Sequence, residues 1–102
     1  MLASIEQHQD EIATLCERFG VLRLELFGSA TGGTYRTGES DLDFLVEFIA
    51  PEAPGYADRY FGLLEALEAL FGRPVDLVVP SAITNPHFQR SVDATRTPLY
   101  AA

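Results

Sequence analysis

Hydrophobic and polar positions follow two rhythms that take turns along the chain. Ile5, Ile12, Leu15, Cys16 and Phe19 recur at the three-to-four spacing of an amphipathic helix. Ser4-Ile5-Glu6-Gln7 has the form of a capping box, with Ser4 as N-cap, and Gly20 closes the helix after Arg18. Period two then takes over. In 21–27, Leu22, Leu24 and Leu26 share one face and Arg23 and Glu25 the other, which predicts a strand with one buried face. The same pattern returns in 41–48, where Leu42, Phe44, Val46 and Phe48 alternate with Asp41, Asp43, Leu45 and Glu47. Between the two strands, 28–39 is rich in Gly, Ser and Thr and predicts a turn, with a short helix beginning at Ser29.

The second half repeats the alternation of periods. Two prolines and a glycine make 50–55 a loop. Tyr60, Leu63, Leu64, Leu67, Leu70 and Phe71 form a helical stripe that ends at Gly72. A third, short strand spans 75–79, with Asp76 as its single charge. Asn85-Pro86 is an N-cap followed by a first helical residue, so a last helix runs to about Ala94. Pro98 and 99–102 read as a tail whose Leu99 and Tyr100 dock on this domain or on a partner. The whole chain, 1–102, reads as one small α/β domain (an α+β sandwich). It has a mixed sheet of three to four strands, helices on one face and the polar strand positions exposed on the other.

Composition narrows the function. Seven basic residues against 15 acidic ones give a net charge of −8, which argues against unaided binding to DNA or RNA, whose phosphates are held by Lys and Arg. A metal ion or a basic protein partner suits that charge. Cys16, the single cysteine, rules out an internal disulfide and a cysteine zinc cage. With no basic-then-apolar leader and no apolar run of about 18 residues, a soluble cytoplasmic protein away from membranes is expected.

The carboxylates change the picture most. Residues two apart on a strand project from one face about 7 Å apart, so Asp41 and Asp43 point together while Leu42 turns inward. Asp76, on a strand expected alongside, reaches the same point. Three carboxylates crowded on one face repel each other unless a cation joins them, and hard oxygen ligands of this kind suit Mg²⁺. A solvated face with unrelated acids is the plain alternative; the lone charge in the apolar third strand tells against it. Gly28-Ser29 adds the other half: a glycine lets phosphate approach the backbone, and a serine at a helix start offers a hydroxyl and free N–H groups. His8 reads as a boundary histidine of the first helix, His87 and Tyr35 as surface residues, and Glu47 as a solvated or partner-facing acid beyond the aspartates.

Eleven residues separate Ser29 from Asp41, and this Gly-Ser…Asp-x-Asp arrangement resembles the signature of polymerase-β-like nucleotidyltransferases. LELFGSA, SDLDFLVEF, GRPVDLVVP, NPHFQRS and the closing LYAA resemble its minimal (MNT) branch in the same order. The resemblance implies an antitoxin that transfers AMP from ATP to a tyrosine of a partner HEPN toxin, in a hetero-oligomer. It implies that Gly28 and Ser29 hold the triphosphate, that Asp41 and Asp43 hold Mg²⁺, and that Asp76 is the third carboxylate. Two features depart from the family pattern: the loop is one residue longer than usual, and Ala30-Thr31 stand where relatives carry an arginine. Arg36 is the loop residue that would supply charge to the phosphates instead. Two alternatives stay open: neutralisation by binding alone, and transfer to a small-molecule acceptor.

Overall fold

In the computed structural model, residues 3–28 and 42–102 are described. Among these residues, four α-helices, α1 (Ala3–Gln7), α2 (Gln9–Arg18), α3 (Tyr56–Phe71) and α4 (Pro86–Thr95), surround four strands, β1 (Val21–Phe27), β2 (Leu42–Phe48), β3 (Val75–Val78) and β4 (Thr97–Ala101). The strands form one mixed sheet in the order β3-β2-β1-β4. β1 is antiparallel to β2 and β4, while β2 runs parallel to β3. A parallel neighbour cannot be reached by a tight turn, and α3 supplies the crossover.

One face of the sheet carries the main core. Leu24 and Leu26 of β1 and Leu42, Phe44 and Val46 of β2 pack with Ile12 and Cys16 of α2 and Leu63 and Leu67 of α3. All nine are essentially excluded from solvent, and burial of each aliphatic or aromatic side chain stabilises by about 1.5–3 kcal/mol. Burial also pushes the Cys16 thiol up to about 12, so it remains a protonated core residue. Two helix ends are closed as the sequence indicates. Gly72 caps α3 in the left-handed conformation at φ 66°. The Asn85 side chain accepts the N–H groups of His87 and Phe88, at 2.8 and 3.4 Å.

Five expectations are corrected. The first helix starts at Ala3, so Ser4 lies inside it, and it breaks at His8 into α1 and α2. The break leaves Ile5 fully buried and sets the His8 ring edge-on to Phe71 at 5.6 Å. Leu22 is exposed, because the pairing passes from Val21↔Phe48 to Arg23↔Glu47 and leaves Leu22 as an extra residue in a bulge. The third strand ends at Val78, one residue short of Val79. The supposed tail is β4: an edge strand tolerates Pro98, and Leu99 and Tyr100 pack on the main core of this domain. Helices cover both faces of the sheet. Val92 of α4 joins Phe27 and Leu45 in a second small cluster, on the side opposite Leu26 and Phe44. Apolar residues at these outward positions of β1 and β2 made a second helix layer necessary.

Candidate active site

The second face is where the charges stand. Its register sets Arg23 against Glu47 and Phe27 against Asp43 across β1 and β2, and Asp43 against Asp76 across β2 and β3. In-register neighbours project from the same face, so Asp43 and Asp76 lie side by side near the start of their parallel strands. Asp43 is half-buried and Asp76 exposed on the edge strand. Asp41 lies outside the described residues, as do Ser29, Tyr35 and Arg36. Of the three carboxylates expected together, two are therefore seen together.

Gly28 follows directly on β1 and brings the turn to the same place. Its φ is +81°, a conformation that disfavours any side chain. A Cβ there would stand 2.5 Å from Asp43 Oδ2, well inside contact distance. Glycine is thus needed twice, for the backbone angle and for the carboxylate against its Cα. Its N–H donates to Thr95 Oγ1 at 2.9 Å, so what Gly28 itself offers a ligand is close approach to the chain.

The rest of the face is tied down by ion pairs. Arg96, just after α4, donates through Nε and Nη2 to the two oxygens of Glu25, at 3.0 and 2.6 Å, and through Nη1 to Asp93 at 3.0 Å. This fork holds the Glu25 carboxyl below the usual carboxylate range, although burial opposes it. Glu47, also on this face, accepts from Arg23 at 2.9 Å; it is an ion-paired acid two residues further along β2 from Leu45. His87 is exposed on the first turn of α4, with Arg90 Nη2 3.5 Å from its Nδ1. On the far side of β3, the Tyr60 hydroxyl donates to the Leu77 carbonyl and Glu68 accepts the Val75 N–H at 3.1 Å, so α3 covers part of that strand edge.

Sequence reasoning located Gly28, Asp43 and Asp76 and missed Thr95, Glu25 and Arg96. Thr95 lies 67 residues from Gly28 and Arg96 lies 71 from Glu25, and only the folded β4 return brings them in. The alternation that put Glu25 on the polar face was visible; its partner was not. An open groove of about 570 Å³ lies between α2 and α3 and is lined by Asp10, Glu11, Leu15, Ala66, Ala69 and Leu70. Those helices cover the core face, so this groove does not contain Asp43 or Asp76.

The donor set fits a hard divalent cation. Two carboxylates in adjacent register present oxygen ligands without nitrogen or sulfur, and no cation from Lys, Arg or His is seen pairing with Asp76 among the described residues. No helix among the described residues is long and apolar enough to cross a membrane.

The model of the nucleotidyltransferase domain family matches residues 11–100. A Methanocaldococcus jannaschii protein provisionally named a protein adenylyltransferase is 37% identical over 79 residues, 78% of this chain and 77% of that one. Protein adenylyltransferase MntA of Thermococcus cleftensis is 44% identical over 69 residues, 68% of this chain and 66% of its own length. Among solved structures, one provisionally described as a minimal nucleotidyltransferase superposes with a TM-score of 0.73 at 32% identity, covering 92% of this chain and 91% of that one. The complex of a tri-AMPylated Shewanella oneidensis HEPN toxin with an MNT antitoxin shares the fold, with a TM-score of 0.63 at 18% identity over 96% of this chain and 73% of the other. With a family match across most of its length, a minimal-type structural relative and the paired carboxylates beside a glycine turn, the chain belongs to the nucleotidyltransferase domain family and is of its minimal type.

Proposed function

We propose that this protein transfers AMP from ATP to a tyrosine hydroxyl of a partner toxin of the HEPN type, and so acts as its antitoxin. The observation that carries the proposal is the placement of Asp43 and Asp76 side by side against the Gly28 turn. Support comes from the relative named protein adenylyltransferase MntA and from the shared fold with an MNT antitoxin bound to a tri-AMPylated toxin. The net charge of −8 suits a protein partner better than a nucleic acid, and use of ATP is consistent with work in the cytoplasm.

In the reaction, the tyrosine oxygen bonds to the α-phosphorus, the bond from that phosphorus to the bridging oxygen breaks, and pyrophosphate leaves. Asp41, Asp43 and Asp76 are the residues that would hold Mg²⁺, which when bound supplies positive charge to the α-phosphate and the leaving pyrophosphate. Gly28 and Ser29 hold the β- and γ-phosphates so that attack is in line, with Arg36 adding charge from the loop. Asp76, exposed on the edge strand, would hold the metal on the acceptor side and so favour deprotonation of the attacking hydroxyl.

The test is intact-mass spectrometry of the protein encoded beside this one, after incubation with this chain, ATP and Mg²⁺. Addition of one or more AMP units on a tyrosine, absent without Mg²⁺, is the expected result. An unmodified partner that still binds tightly would replace transfer by occlusion, and the absence of binding would turn attention to small-molecule acceptors.

A further inference from the structure

We infer that Thr95 is a positioning residue for nucleotide binding, holding the Gly28 turn in place from the last turn of α4. The inference rests on the transferase reading above and assigns a role within that site. Three observations meet at Gly28. Its φ of +81° is a conformation that a free chain leaves readily. Its Cα lies against the Asp43 carboxylate, with space for no more than a hydrogen. Its N–H, the last before the loop that carries Ser29, ends on Thr95 Oγ1 at 2.9 Å.

The hydroxyl is suited to that task. Its proton is directed back into α4, with the Ser91 carbonyl at 3.1 Å and the Val92 carbonyl at 3.4 Å. An acceptor lone pair is thereby left facing the turn. Thr95 is itself held from both sides. Val92 is fully buried against Phe27 and Leu45, and the neighbouring Arg96 forks onto Glu25 of β1. The hydroxyl therefore has a fixed position relative to the sheet. A turn anchored in this way presents the phosphate-binding backbone and the Asp43 carboxylate in one geometry before ATP arrives, which lowers the ordering cost of binding.

Thr95→Val keeps the branched shape and removes the acceptor, whereas Thr95→Ser keeps the acceptor. Thr14, whose hydroxyl donates to the Asp10 carbonyl at 3.0 Å on the exposed side of α2, gives a matched control as Thr14→Val. For Thr95→Val, an apparent KM for ATP about tenfold higher is expected, with kcat changed less than about threefold, and with restoration in Thr95→Ser. Thr14→Val is expected to behave as the unaltered chain. Amide exchange of Gly28, read by NMR without ATP or partner, is expected to accelerate at least about tenfold in Thr95→Val alone of the three variants. Unchanged exchange at Gly28 would overturn the inference. So would an unchanged KM, or a loss that Thr95→Ser fails to restore. If the unaltered chain transfers no AMP to any acceptor, the transferase reading falls, and the Gly28 exchange still decides whether Thr95 holds the turn.

Discussion

The two faces of the sheet are made by the same strands and differ by one residue of register. On the core face, Leu24, Leu26, Leu42, Phe44 and Val46 are sealed under α2 and α3. On the other face, Glu25, Asp43, Glu47 and Asp76 alternate with them, and Phe27, Leu45 and Val78 give α4 something apolar to cover. Period two thus separates work as well as solvent exposure: one face supplies stability, and the other holds charges at fixed spacing on a rigid support. Within the second face, Glu25 is held by the Arg96 fork, and Asp43 and Asp76 stand in adjacent register beside the Gly28 turn. Under the proposed function, the Glu25–Arg96 pair is structural, and the Asp43–Asp76 pair is the place for a ligand of opposite sign.

The sharpest separation of the faces comes from emptying the core. Phe44→Ala removes a fully buried ring stacked near Phe71 at 6.1 Å and is expected to cost about 3–5 kcal/mol of unfolding free energy in urea titration. Its residual folded fraction is expected to keep transfer activity. Gly28→Ala comes next, with a cost of about 1–3 kcal/mol from the left-handed backbone. Because the added Cβ displaces the Asp43 carboxylate, transfer is expected to fall by about a hundredfold, more than stability alone accounts for.

The end held by Arg96 is expected to respond to pH. The Glu25 carboxyl is held below its ordinary value of 4.5 in the folded protein, so the unfolded chain takes up that proton first as pH falls. Its stabilising contribution is complete above about 4.5 and is lost as pH drops through the depressed folded value. Arg96→Ala is expected to cost about 1–2 kcal/mol at pH 7, discounted for the partial exposure of the guanidinium. It is also expected to flatten the acid limb of the stability curve, measured by thermal unfolding between pH 3 and 7. The smallest effect belongs to the α4 cap: Asn85→Ala loses the bonds to His87 and Phe88 and costs about 1 kcal/mol.

Much of this division is legible in the sequence, and the exceptions have physical causes. Leu42, Phe44, Val46 and Phe48 mark the core face of β2 because strict alternation leaves one arrangement only, and Asp43 follows on the other side. Asp76 could be matched to Asp43 because its strand is short and carries one charge. Leu22 misleads, since alternation alone does not reveal a bulge. β4 was hidden by Pro98, which breaks an interior strand and is harmless on an edge. The second helix layer was implied by Phe27 and Leu45, whose apolar character on the polar face needs a cover. Thr95 was not foreseeable, because a hydroxyl in a helix's last turn is ordinary until the fold brings a glycine turn beside it.

The division of the charged face can be measured in one assay: the rate of AMP transfer to the partner by Asp43→Asn, Asp76→Asn and Glu47→Gln, each with its unfolding midpoint. Asp43→Asn and Asp76→Asn are expected to lose at least about a thousandfold, equal to about 4 kcal/mol of transition-state stabilisation, with midpoints at or above that of the unaltered chain. Glu47→Gln, which gives up only an ion pair with Arg23, is expected to keep its rate within about threefold. Full transfer by Asp43→Asn, or an equal loss in Glu47→Gln, would contradict the assignment of the chemistry to the Asp43–Asp76 pair.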